Sequence, residues 1–170
     1  MKDDSLFLLD ANALITPYNQ YYAFDLVPSF WKALSKQIKT KRIALLDVAR
    51  NEINNEELSD WIVKQEELII FNHIEAKVIE EYRRVMQYVN DCGLYLKSAF
   101  DLWAQEKVAD PWLIAAASVN QFVIITTEVP SGGLGINNPN KEAKIPDVAK
   151  AFDVECRDVF SFMRALGIRI

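Results

Sequence analysis

Four acidic residues lie at the borders between apolar runs and polar segments of the sequence. In α/β proteins, binding and catalytic residues are found at such positions. The four acids are Asp10, Glu52, Asp110 and Glu128. Carboxylate oxygens are the ligands that hard cations such as Mg²⁺ and Mn²⁺ prefer, and Mg²⁺ retains several waters, so a few carboxylates suffice to bind it. Such an ion can activate water and neutralise the charge that resists attack on a phosphodiester. The four acids therefore predict a site for a divalent cation.

Three apolar runs are expected to position these acids. Residues 5–10, 43–46 and 122–127 are short runs of apolar or β-branched side chains followed by polar residues, a pattern typical of buried parallel strands. Val154–Cys156 is a candidate for a last strand. Because the carboxyl ends of parallel strands open on one edge of a sheet, the acids beyond them are expected to converge there.

Helices are predicted between the strands from the near-helical spacing of apolar side chains. They cover residues 25–38, 75–90, 98–107, 111–120 and 158–166. Pro28 falls in a first helical turn, where proline is tolerated. The segment Val129–Lys144 contains three glycines and two prolines and is predicted to be a long loop. Alternating strands and helices imply an α/β fold with a central parallel sheet.

Each acid also has a structural explanation of its own. Asp10 could cap a following helix, and Asp110 followed by Pro111 is a common helix start. Glu52 could lie on a solvated helix face, and Glu128 could be an ordinary loop residue. Four unrelated acids would not be expected to fall at one sheet edge, which favours a shared role.

Four short motifs carry a resemblance to a known family. They are Leu-Leu-Asp10-Ala-Asn12-Ala-Leu-Ile, Val-Ala-Arg-Asn-Glu52-Ile, Ala-Asp110-Pro-Trp-Leu-Ile-Ala-Ala-Ala and Ile-Ile-Thr126-Thr-Glu128. In their order and spacing they resemble the PIN-domain family over nearly the whole chain. The resemblance implies one domain over residues 1–170 and a three-layer α/β sandwich with a central parallel sheet (the flavodoxin-like PIN fold). The region from Glu56 to Lys107 is longer and more helical than a minimal member of the family requires, so additional helices are expected there.

The resemblance also implies an activity and a set of site residues. The protein would be a metal-dependent endoribonuclease that uses Mg²⁺ or Mn²⁺, similar to the toxins of bacterial toxin–antitoxin pairs. Asp10, Glu52 and Asp110 would form the core of the metal site, and Glu128 would complete it. Asn12 would orient a ligand or contact phosphate, and Thr126 would support the metal ligands through its hydroxyl.

The chain departs from the family pattern at the fourth acid. Thr126-Thr127-Glu128 stands where the family usually has Thr-x-Asp, and the long loop follows it. Asp147 lies at the start of a segment that resembles the helix normally following that motif, and is the alternative fourth ligand.

Charge and composition limit the partners. The 170 residues carry a formal charge of −5 with a pI of about 5.0, which argues against nucleic-acid binding through bulk positive charge. A local basic stretch is either a solvated face or a contact for an RNA backbone; its candidate RNA-binding residues are Lys36, Lys39, Lys41 and Arg42. No apolar run approaches the ~18 residues of a membrane span, so no membrane association and a cytoplasmic location are expected.

The expected partners are an RNA substrate, an antitoxin protein and a second copy of the chain in a homodimer. Two other functions stay open at this point. One is a PIN-like module that has lost catalysis and binds protein or RNA. The other is a structure-specific DNA nuclease, because the same metal chemistry cuts either backbone.

Overall fold

The apolar runs of the sequence form a parallel sheet in the computed structural model, which describes residues 5–170. Its strands are β1 (Leu6–Leu9), β2 (Ile43–Leu46), β3 (Ile69–Phe71), β4 (Phe122–Ile125) and β5 (Cys156–Arg157). Their order in the sheet is β3-β2-β1-β4-β5, and every pairing is parallel. Helices flank the sheet, so the expected α/β fold with a central parallel sheet is confirmed.

The three central strands explain why the apolar runs are continuous. β2 is buried at every position, and β1 and β4 are buried at all but their first. A strand covered on both faces reads as an unbroken apolar run, whereas a half-exposed strand alternates. In the register of the sheet, Leu8 of β1 lies between Ala44 of β2 and Ile124 of β4.

Nine helices connect and cover the strands within the described part of the chain. They are α1 (Asn12–Thr16), α2 (Pro28–Ile38), α3 (Asp47–Asn51), α4 (Glu56–Val63), α5 (Ala76–Asp91), α6 (Lys97–Trp103), α7 (Asp110–Asn120), α8 (Ile145–Ala151) and α9 (Val159–Leu166). A π-helical turn, Pro17–Tyr21, continues α1.

The predicted helices are all present, with different ends. The helix predicted over residues 25–38 begins at Pro28, whose missing N–H is not needed at a first helical position. The helix predicted over residues 98–107 ends at Trp103. The edge strand β3 is missed by the sequence pattern because its three residues are at least partly exposed and too few to show a period.

Helix packing places α7 at the centre of one flank. α7 contacts α5 along its length and also touches β4 and α8. Elsewhere, the ring of Phe162 on α9 meets the ring of Phe7 on β1 edge-on, with 5.1 Å between centroids. The contacts of α7 with β4, α5 and α8 hold the helix that carries Asp110 against the sheet.

The single-domain prediction covers residues 1–170, of which residues 1–4 lie outside the described residues, and it stays a prediction. Between residues 5 and 170, no helix has the length and apolar character needed to cross a membrane.

Candidate functional site

The carboxyl edge of the sheet collects polar side chains from every strand. Polar residues just beyond the strands include Asp10 after β1, Asp47 after β2, His73 two residues after β3, Thr126 after β4 and Asp158 after β5. The chain runs from β1 outward to β3 on one side and resumes at β4 on the other. Ligands of α/β sheets bind where the strand order reverses in this way, here between β1 and β4.

Asp10 lies at this reversal point and is held by the neighbouring strand. Its side chain is buried, with 2% of its surface exposed. The Thr126 hydroxyl donates a hydrogen bond of 2.9 Å to Asp10 Oδ2 and accepts one of 3.2 Å from the Glu128 N–H. The N-cap residue of α1 is Ala11, and the backbone N–H of Asn12, at the start of α1, lowers the pKa of Asp10. Asp10 is therefore a buried carboxylate that lies beside both the end of β4 and the start of α1.

Glu52 positions the start of the helix that carries Asp110. Glu52 Oε1 accepts a hydrogen bond of 3.0 Å from the N–H of Ala109, the residue before α7. Asp110 is half-buried and does not cap α7 with its side chain. Among residues 5–170, nothing donates a hydrogen bond to its carboxylate or forms an ion pair with it.

Glu128 and Asp147 hold different parts of the loop between β4 and α8. Glu128 Oε2 accepts a hydrogen bond of 2.7 Å from the Ile145 N–H, and the Lys144 ammonium lies 3.9 Å from Glu128 Oε1. Asp147 Oδ2 accepts a hydrogen bond of 3.0 Å from the Ser131 N–H. Glu128 therefore joins the end of β4 to the start of α8, and Asp147 secures the start of the loop.

The two candidate fourth acids also act on different neighbours. The charge of Glu128 raises the pKa of Asp10 and of Asp110. Burial raises the pKa of Tyr88 and of Tyr95, and the charge of Asp147 raises both further. Glu128 thus belongs to the electrostatic environment of Asp10 and Asp110, and Asp147 to that of the two tyrosines.

The carboxylates make each other harder to ionise. Burial, together with the charges of Glu128, Asp10 and Glu52, raises the pKa of Asp110 to about 8, against an opposing effect of Lys144. Burial and the charges of Glu52 and Glu128 raise the pKa of Asp10 to about 6, although the Thr126 hydrogen bond lowers it. Burial also raises the pKa of Glu52. Negative charge at this edge is costly unless a cation compensates it.

The acids share this environment without forming a compact ligand set. Within residues 5–170, no three His, Cys, Asp or Glu side chains are close enough together to hold a metal ion. Glu52 and Glu128 instead accept backbone N–H groups of Ala109 and Ile145. Asn12, the first residue of α1, is exposed two residues beyond Asp10.

The basic stretch of Lys36, Lys39, Lys41 and Arg42 is not brought next to the acids. It spans the end of α2 and the start of β2, at the amino edge of the sheet. The Arg42 guanidinium donates to the backbone oxygen of Ser5 and lies 5.4 Å from the centre of the Phe7 ring. Whether this stretch contacts RNA stays a prediction.

Two polar residues at the carboxyl edge are not among the site residues predicted from the sequence. Asp47 directly follows β2, just as Asp10 follows β1, and that position was the available signal. His73 follows β3, which the pattern does not reveal. The two side chains pair, with 2.8 Å between His73 Nδ1 and Asp47 Oδ2.

Two clefts flank the acids along this edge. On the β2–β3 side, a cleft of about 640 Å³ is lined by residues that include Glu52 and His73. On the β4–β5 side, a cleft of about 430 Å³ is lined by residues that include Thr127, Tyr21 and Phe160. A chain-like ligand could therefore cross the edge from one cleft to the other.

The fold and this edge define an α/β protein with a cluster of carboxylates at the reversal point of a parallel sheet. The chain belongs to the family described as domain of unknown function (DUF4411), whose model matches residues 7–170. No curated protein matches its sequence.

Among solved structures, the chain is similar to one chain in the crystal structure of VapBC2 from Rickettsia felis bound to a DNA fragment from their promoter. The similarity covers 90% of this chain and 98% of that chain, with a TM-score of 0.55 and 12% sequence identity. At this identity the similarity shows a shared fold.

Proposed function

We propose that this protein is a PIN-like, metal-dependent endoribonuclease that acts as the toxin of a toxin–antitoxin pair. One observation carries the proposal: carboxylates from four separate segments act on one another at the carboxyl edge of the sheet, where burial and mutual repulsion raise the pKa of Asp10 and Asp110. Such an arrangement weakens a fold unless it serves a ligand. A divalent cation is the ligand that would relieve it.

The donor set fits Mg²⁺ or Mn²⁺. All its donors are carboxylate oxygens, which these ions prefer, and the Asp110 carboxylate has no competing partner among the described residues. Asp10, Glu52 and Asp110 would hold the ion, and Glu128 rather than Asp147 would complete the site. A bound ion would supply an activated water and neutralise charge on the phosphodiester.

The other residues of the edge would prepare the site. The Thr126 hydroxyl keeps the Asp10 carboxylate oriented, and Glu52 keeps the start of α7 beside it through Ala109. Asn12 is exposed two residues beyond Asp10, and its amide would contact a substrate phosphate. Lys144, whose ammonium pairs with both Glu128 and Glu142, would offer a positive charge to the same phosphate.

Cleavage assays with the purified chain would test this function. We expect cleavage of single-stranded or looped RNA only when Mn²⁺ or Mg²⁺ is present, and loss of that cleavage in Asp110→Asn. Asp101→Asn, at an exposed position of α6, is the matched control and should keep full activity.

The outcomes separate the alternatives. Full activity in a folded Asp110→Asn variant would remove Asp110 from the site. Cleavage of DNA but not RNA would favour a structure-specific DNA nuclease. Metal-independent RNA or protein binding without any cleavage would favour a PIN-like module that has lost catalysis.

The fold shared with a chain of the VapBC2 structure supports the proposed toxin role and a partner protein, the antitoxin. A homodimer and a cytoplasmic location are further parts of the proposal. Co-expression with the protein encoded by an adjacent gene would test the partner. Suppression of RNA cleavage in the co-purified complex is the expected result.

A further inference from the structure

A polar cleft lies beside the acids on the β2–β3 side of the carboxyl edge. Its volume of about 640 Å³ falls in the range of small-ligand sites. Glu52 lines it together with His73, Asn51 and Lys107. Glu52 links the cleft to the acids, because it also accepts the N–H of Ala109, the residue before Asp110.

Asp47 fixes the only histidine of the chain at this cleft. Asp47 Oδ2 lies 2.8 Å from His73 Nδ1, and Asp47 Oδ1 accepts the His73 backbone N–H at 3.2 Å. Asp47 Oδ1 also accepts the Val48 N–H at 2.8 Å, which fixes the carboxylate itself. Because a carboxylate only accepts hydrogen bonds, His73 Nδ1 must be the donor.

The imidazole is also held by aromatic packing. The ring of Trp112 meets it edge-on at 4.7 Å between centroids, and Tyr82 stacks on Trp112 at 3.8 Å. A ring fixed by one hydrogen bond and an aromatic neighbour, on a residue whose backbone N–H is also bonded to Asp47, loses little freedom when it binds a ligand. In the neutral ring with Nδ1–H donated to Asp47, Nε2 is an acceptor.

We propose that this cleft binds the base of the RNA nucleotide next to the cleaved phosphate and selects bases that carry an exocyclic amino group. This inference rests on the proposed function, because it assumes that RNA is the substrate. His73 Nε2 accepts a hydrogen bond from the amino group, which adenine, cytosine and guanine have and uracil lacks.

Two further residues complete the recognition. The Asn51 side-chain amide makes no hydrogen bond within residues 5–170, so its donor and acceptor are both available to the edge of a base. Lys107 is exposed and forms no ion pair in the same part of the chain, so it can pair with a phosphate.

Nucleotide titration of the full chain by NMR at pH 7.5 tests this site without metal and without cleavage. AMP should shift the His73 ring-nitrogen and Asn51 amide resonances and bind at least about fivefold more tightly than UMP, the value of one net hydrogen bond. His73→Asn keeps an amide N–H that can donate to Asp47 but lacks Nε2. It should weaken AMP binding about fivefold and leave UMP binding unchanged.

Lys77→Ala, an exposed lysine of α5 outside the cleft, is the control and should bind AMP as the wild type does. Equal affinity for AMP and UMP, unchanged AMP affinity in His73→Asn, or no shift at Asn51 would each overturn the inference. Cleavage of RNA is measured separately, so a nuclease without this selectivity and a nucleotide-binding chain without nuclease activity give different results.

Discussion

The Asp110 carboxylate, which we propose binds a metal ion, destabilises the folded protein when it is ionised. Its pKa is raised from 3.8 to about 8, chiefly by burial and then by Glu128. The folded state therefore keeps the proton of Asp110 at pH values where the unfolded chain has lost it. The resulting stabilisation is complete below about pH 4 and is lost as the pH rises through about 8.

Asp110→Asn should therefore stabilise the metal-free protein at pH 8. An amide replaces the carboxylate without its charge, and one pKa unit corresponds to about 1.4 kcal/mol. We expect a gain of at least about 1 kcal/mol in the free energy of unfolding at pH 8 and no gain at pH 4. Urea unfolding in EDTA at both pH values measures this.

The matched control for this prediction is Asp60→Asn, at an exposed position of α4. In this variant the free energy of unfolding should change between pH 4 and pH 8 by the same amount as in the wild type. Equal stability of Asp110→Asn and the wild type at pH 8 would show that the Asp110 carboxylate carries no electrostatic cost.

Some candidate residues could be predicted from the residues next to them in the sequence, whereas others depend on contacts between distant segments. Asp10 and Thr126 could be predicted because each directly follows a buried strand, and the structure joins them by a hydrogen bond. The partner of Glu52, a backbone N–H 57 residues away, has no sequence signature. The pair of Asp47 and His73 is equally hidden, because its formation depends on the alignment of β2 with β3.

At the scale of elements, Glu52 is both an acid and the anchor of α7. The Ala109 N–H that it accepts belongs to a residue with no exposed surface, so loss of the acceptor leaves a buried donor unsatisfied. Such a donor costs about 1–3 kcal/mol. The two roles can be separated because glutamine keeps the accepting oxygen and loses the charge.

We expect Glu52→Ala to lower the free energy of unfolding by about 1–3 kcal/mol and Glu52→Gln to leave it within about 0.5 kcal/mol of the wild type. Both substitutions should reduce metal-dependent cleavage strongly. Thermal unfolding and cleavage assays on the two variants test this. An active Glu52→Gln would show that Glu52 acts only as the anchor.

The elements also differ in how well a sequence predicts them. β2 is buried at every position and is predicted with its observed ends, residues 43–46. The short helix α3 is not predicted because five residues are too few to show a helical period, although it carries Asn51 and ends at Glu52. Position at the sheet edge, rather than helical pattern, identified Glu52.

At the scale of the molecule, the acids and the basic stretch of Lys36, Lys39, Lys41 and Arg42 occupy opposite edges of the sheet. Four-residue strands at about 3.3 Å per residue separate these edges by roughly 13 Å. Helices cover the sheet between the two edges, so an RNA would have to follow the surface around them. By that longer path a substrate of two or three nucleotides at the acids would not reach the basic stretch, whereas a longer RNA could. RNA length should therefore decide whether the stretch contributes.

We expect Lys36→Gln/Lys39→Gln/Lys41→Gln to leave the cleavage of a trinucleotide unchanged and to weaken the binding of a 20-nucleotide single-stranded RNA. Single-stranded nucleic acid contributes about 0.7 to the salt slope per neutralised phosphate, so three lost contacts should reduce the slope by about 2. Arg42 is retained because its guanidinium holds the Ser5 carbonyl.

The control changes three exposed lysines elsewhere, Lys77, Lys141 and Lys150. Fluorescence anisotropy at several salt concentrations measures the slopes, and equal slopes for the two triple variants would assign the basic stretch to a solvated face.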